Sequence, residues 1–105
     1  MHRGEVWWAN LTGPAGRRPV LLLSRESVYN TRGSVTVAAI TRTIRGIPVE
    51  VPLGPEDGMP TKCVINLDEI TTALKSRLTE RITTLSQEKL TMASKAAIFA
   101  LDLRF

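Results

Sequence analysis

The chain is poor in the residues most hydrolases work with. It has one histidine, His2, and one cysteine, Cys63, in 105 residues. A His-based acid–base pair, a Ser-His-Asp triad or a Cys-His nucleophile each needs a histidine in the body of the fold, and the only one here is at the second position. A lone cysteine excludes an intramolecular disulfide, and it cannot complete a zinc tetrahedron with a single histidine. These counts predict a reduced, cytoplasmic chain with no metal and no cofactor. No apolar run approaches the ~20 residues of a membrane-spanning helix. The strand pattern begins by Glu5, which leaves no room for a signal peptide. Carboxylates are scattered, with only Glu56-Asp57 and Asp68-Glu69 adjacent. Neighbours along a strand point to opposite faces, so Asp68 and Glu69 make a poor two-carboxylate pair. No phosphate-binding P-loop motif occurs.

What is present is an ordinary globular composition, 43% hydrophobic and 23% charged, of a length that suits a single domain over residues 1–105. The formal net charge of +4 favours a polyanionic partner. The pattern predicts short strands over 5–11, with Val6 and Trp8 on one face and Trp7, Ala9 and Leu11 on the other, then over 19–24 and 34–41. A loop over 12–18 and a turn over 29–33 separate them. The proline-bearing stretch 47–53 reads as an edge strand, 54–60 as a flexible loop, 63–74 as one or two strands and 80–85 as a last one. From Ser86, an expected N-cap with Lys89 at N3, the period becomes helical. Leu90, Ala93, Ala97 and Leu101 form the expected core stripe, with Met92 and Phe99 on a flank for a partner. The fold class is α+β, mainly β: six or seven short antiparallel strands bent into a small barrel, with a C-terminal helix.

The stretch "GRRPVLLLS" (16–24) sets paired arginines against a buried strand. Attack of an RNA 2'-hydroxyl on the neighbouring phosphate needs no protein nucleophile. It needs in-line positioning and neutralisation of the developing charge. A planar guanidinium supplies both through two parallel hydrogen bonds. Arg17 and Arg18, fixed by the strand beginning at Pro19, together with a hydroxyl from a neighbouring strand, would make such an anion site.

The blocks "RGEVWWANL" (3–11), "RRPVLLLS" (17–24), "VAAIT" (37–41), "CVINLDEI" (63–70) and "LTERITTLS" (78–86) resemble, in order and spacing, the MazF/PemK family of toxin endoribonucleases. The resemblance implies an SH3-like barrel, a homodimer and metal-independent cleavage of single-stranded RNA to a 2',3'-cyclic phosphate. It also implies inhibition by a cognate antitoxin. By position it makes Arg18 and Thr41 the catalytic pair, with Arg18 electrostatic in role, since a guanidinium is a reluctant base. It places "DEI" (68–70) in a segment that contacts RNA bases, where Glu69 stands in place of a frequent Gln. Arg17, Ser24, Arg42, Arg45, Asp68 and Glu69 complete the expected RNA-binding set.

One departure is visible: the loop before Arg17 is shorter than in many members and lacks their acidic residue. That keeps a second reading open, a non-catalytic barrel that binds RNA or a peptide. A gyrase poison of the CcdB family ranks last, because that family ends in Trp-Gly-Ile and this chain ends in "LDLRF". Ser24 has the alternative use of capping a turn, Arg42 and Arg45 that of a solvated hairpin turn. Trp7 and Trp8 are assigned to the core, and Cys63 to the interior as a small hydrophobe.

Overall fold

The computed structural model describes residues 1–11 and 13–105; Thr12, within the expected 12–18 loop, lies outside the described residues. Six strands form one antiparallel sheet: β1 (Glu5–Asn10), β2 (Arg17–Leu22), β3 (Ser34–Thr41), β4 (Glu50–Leu53), β5 (Cys63–Leu74) and β6 (Leu78–Thr84). Their order is β4-β5-β3-β2-β1-β6, so β4, with Pro52 in its centre, is an edge strand as expected and β6 is the other edge. The sheet curls into a half-barrel. The helices are α1 (Val28–Thr31) and α2 (Gln87–Ala100).

Alternation along each strand builds two cores. Val6, Leu21, Ala38, Ile40, Ile65 and Val51 share one cluster with Ala93 and Ala96 of α2. Ala9, Val20, Leu22 and Val37 face the other way and pack with Val28 and Tyr29 of α1. The two faces of β1 are therefore covered at Val6 and Ala9, in keeping with its alternation. The stretch 29–33 is not a simple turn: Val28 and Tyr29 are apolar enough to pull a helical turn onto the second core.

Several boundaries differ. The strand expected over 19–24 begins at Arg17, so both arginines lie within β2 rather than in the loop before it. Residues 63–74 are one strand, made to look like two by a bulge. Ala38 pairs with Ile70 and Ala39 with Asn66, leaving Leu67, Asp68 and Glu69 as three extra residues on β5. The buried stripe on α2 is rotated by less than one residue's step, with Ala96 in place of Ala97. Ala93 and Ala96 are buried, Leu90 and Ala97 are half-buried, and Leu101 lies beyond the helix and is 54% exposed.

The open side of the half-barrel is bridged by 54–60, which is built rather than loose. Gly54 N donates to Asp57 Oδ2 at 2.9 Å, closing a 3-10 turn over Pro55–Asp57, and Met59 is buried. Thr83 Oγ1 of β6 donates to Asp57 O at 3.0 Å. Ser86 caps α2, accepting from Lys89 N at 3.2 Å. Lys89 occupies the position where a capping box would hold Glu or Gln, and sends its Nζ instead to Pro52 O at 2.6 Å, with Asp57 Oδ2 at 3.9 Å. The bridge thus holds the edge strand, β6 and the helix together.

Candidate active site

Proline dictates where the sheet opens. Pro19 has no N–H to give, and the β2–β3 ladder runs only from Leu22–Val37 to Val20–Ala39. Beyond it β1 still pairs with β2 as far as Asn10–Arg17. The strands part at Pro19 and Ile40, and a cleft of about 630 Å³ forms there. Arg17, Arg18, Thr41 and Arg42 line it, with Trp8 on one side and Met59, Pro60, Thr61 and Cys63 on the other. Continuing the β2–β3 register by two residues from Val20–Ala39 sets Arg18 opposite Thr41.

Within the cleft the two arginines diverge, as consecutive residues in a strand must. The Arg17 guanidinium lies over the Trp8 ring, 4.3 Å from its centroid. Arg18, half-buried, reaches the bulge of β5, where its Nη1 is 3.6 Å from Glu69 Oε2. Thr41 Oγ1 accepts the Thr43 N–H at 3.1 Å, which pins the hydroxyl and leaves its own proton to be donated. Cys63 is buried at the floor, and burial, reinforced by the nearby Asp57 charge, raises its thiol pKa. It is the inert small hydrophobe expected rather than a nucleophile.

The other expected site residues separate into near and far. Arg45 is exposed beyond the cleft, its backbone N–H held by the Glu50 carboxylate at 3.1 Å. Asp68 is exposed at the bulge, and its N–H donates to the buried Asn66 Oδ1 at 2.9 Å. Ser24 is at the opposite end of β2 from Arg18. Its Oγ accepts the Thr36 N–H at 2.8 Å and its carbonyl the Tyr29 hydroxyl at 3.0 Å. The structure does not bring Ser24 to the cleft; it fastens β3 and α1. Burial, ahead of the Glu26 charge, pushes the Tyr29 phenol up to about 12.

Trp8 needs a correction. It is half-buried and forms the cleft wall rather than core, because beyond Pro19 the β2–β3 ladder has ended and the Arg17 guanidinium, not an apolar side chain, lies over its ring. Trp7 keeps the inward role: it packs on the second core, with Nε1 donating to Glu5 Oε1 at 2.9 Å. Pro60, Thr61 and Thr43 were also absent from the expected set. They come from connections whose path over the cleft no periodicity encodes.

Residues 2–101 match the family of PemK-like, MazF-like toxins of type II toxin–antitoxin systems. The chain belongs to this family. Among MazF-like relatives, a probable endoribonuclease MazF2 of Mycobacterium tuberculosis is 44% identical over 91 residues, covering 86% of this chain and 87% of that one. The M. tuberculosis toxin MazF-mt6 superposes with a TM-score of 0.88 at 33% identity, covering 96% of this chain and 99% of the other. A mycobacterial endoribonuclease solved with its cognate antitoxin superposes at 0.89 with 28% identity, covering 100% of this chain and 98% of that one. No helix among the described residues is long and apolar enough to cross a membrane.

Proposed function

We propose that this MazF-like chain is the toxin of a toxin–antitoxin pair and a sequence-selective endoribonuclease. It cuts single-stranded RNA by 2'-hydroxyl attack, leaving a 2',3'-cyclic phosphate, and acts in the cytoplasm as one toxin domain over 1–105. The observation that carries this reading is the single cleft shared by Arg18 and Thr41. There the Arg18 guanidinium neutralises the charge gathering on the phosphorane, and the Thr41 hydroxyl, pinned by the Thr43 N–H, donates to a phosphate oxygen. Such a reaction needs orientation and charge and no metal-bound nucleophile. Arg17 and Arg42 add positive charge along the same opening. Asp68 and Glu69 stand on the β5 bulge to accept from base edges.

The partners are a second copy of the chain, as the family resemblance implies, and a cognate antitoxin, such as the one with which the mycobacterial endoribonuclease was solved. Met92, Phe99 and Leu103 leave apolar surface on and beyond α2 for such contacts.

The test is incubation of the purified protein with long single-stranded RNA in excess EDTA, beside Arg18→Ala, with fragment ends sequenced and their termini analysed. Discrete EDTA-resistant cuts bearing cyclic phosphate, lost in the variant, bear the reading out. Intact RNA that is retarded on a gel would replace it with the binding-module reading, for which the shortened loop is the motive.

A further inference from the structure

The cleft presents an aromatic face that the phosphate chemistry does not use. Trp8 is one of two tryptophans in the chain and lines the cleft beside Pro19, its register partner on β2. A strand-borne indole with a proline next to it is fixed in place, and the Arg17 guanidinium lies over its ring, 4.3 Å from the centroid. A guanidinium is planar, cationic and about as thick as a base, so its seat on the ring marks where a flat group fits. We propose that a nucleobase flanking the scissile phosphate stacks on Trp8 in place of the Arg17 guanidinium, which is released to the RNA backbone. This rests on the endoribonuclease reading above.

Two physical arguments support the exchange. Base–aromatic stacking is stronger than a solvent-exposed cation–π contact, so the base displaces the guanidinium rather than the reverse. The displaced charge is not stranded, because a phosphate is the better partner for an arginine. Stacking accepts any base, so Trp8 sets affinity and the position of the strand, leaving base identity to the hydrogen-bonding groups of the bulge.

The test uses a short single-stranded RNA spanning a sequenced cleavage site, with a 2'-methoxy group at the attacking nucleotide, and a set of the same RNA each carrying one abasic nucleotide. For the wild type, one abasic position weakens binding about tenfold, the order expected for loss of one stack. Trp8→Leu binds the intact RNA with about the same loss and shows no further loss at that position. Trp7→Phe leaves Trp8 as the sole indole; the intact RNA quenches its emission, and the critical abasic RNA does not. This reading holds even if Trp8→Leu fails to fold. A flat abasic profile for the wild type, a Trp8→Leu profile like that of the wild type, or emission unmoved by bound RNA would overturn the stacking site while leaving the nuclease intact. Absence of cleavage by the wild type would instead remove the reading it rests on, and the stacking site with it.

Discussion

Arg18 Nη1 lies 3.6 Å from Glu69 Oε2, although β3 separates their strands in the sheet. The bulge closes that gap. Three extra residues on β5 opposite Ala38 and Ala39 push Asp68 and Glu69 out of the ladder, while Leu67 stays buried and donates its N–H to Val49 O at 2.9 Å. The carboxylate therefore occupies the guanidinium that the reaction would direct at phosphate. The side chains are 32% and 50% exposed, so water weakens the pair to about 0.2–1 kcal/mol.

Glu69→Gln removes an anion from the RNA path and releases Arg18, and the amide still accepts from a base edge. RNA should bind about two- to fivefold more tightly, following the strength of an exposed ion pair. Anisotropy titration with non-cleavable RNA at low and high salt measures this. Weaker binding by the variant would make Glu69 a required anionic contact and not an occupant of Arg18.

Arg18→Ala should lower the cleavage rate by about 10²–10³, the usual loss when one donor to a developing oxyanion is removed. Arg18→Lys should recover little, because an ammonium cannot offer the two parallel hydrogen bonds of the guanidinium. Stability should shift by no more than about 0.5–1 kcal/mol in either variant. Single-turnover rates and urea melts on the same preparations separate these effects. An active Arg18→Ala protein would remove the residue from the mechanism.

How much of this was legible depended on whether the signal was local. Strand alternation and the Ser86 cap act between near neighbours, and the barrel-plus-helix class follows from them. The arginines' membership of β2 was obscured because Pro19 reads as a strand start, whereas in the structure it marks where β2 leaves β3 while staying paired with β1. Trp8 was assigned to the core because alternation gives its face but not what covers that face. Ser24 stands at the end of an apolar strand in either use, and only the distance to Thr36 N decides it. The contact between Arg18 and Glu69 required the bulge, which no spacing in "CVINLDEI" announces.

Glu5 makes stability depend on pH. The side chain is buried and accepts from Trp7 Nε1 at 2.9 Å, His2 N at 3.0 Å and Arg81 Nη1 at 3.4 Å. Burial alone would raise its pKa, yet the bonds from Trp7 and His2, the N-terminal charge and Arg81 outweigh it, and the net shift is downward. These bonds also tie down the first residues of the chain. A carboxyl more acidic in the folded than in the unfolded chain gives stabilisation that is full above the unfolded value, about 4.3, and lost as pH falls through the folded value. Glu5→Gln should therefore cost on the order of 1–3 kcal/mol at neutral pH and progressively less in acid. Urea melts at pH 7 and near pH 3 test this, and an equal cost at both would show that the charge is not what matters.

Gly58 carries the closure of the half-barrel. Its φ of 91° lies in the left-handed region, and a Cβ there would sit 2.3 Å from Thr83 Oγ1, the atom that donates to Asp57 O. Gly58→Ala should therefore act twice, through backbone strain and by pushing β6 away from the 54–60 bridge, for a loss of about 1–3 kcal/mol. Thr83→Ala removes Oγ1, the nearest clashing atom, along with one hydrogen bond, at a cost of about 1 kcal/mol, but keeps a Cβ that the added methyl would meet at 2.8 Å. Because the two changes share a contact, the double variant should lose less than the sum of the singles, the deficit being the share of the steric loss that Oγ1 carries. Thermal melts of the four proteins measure it. Strict additivity would mean that the bridge moves independently of β6, and the edge at β6 would then be held by its ladder with β1 alone.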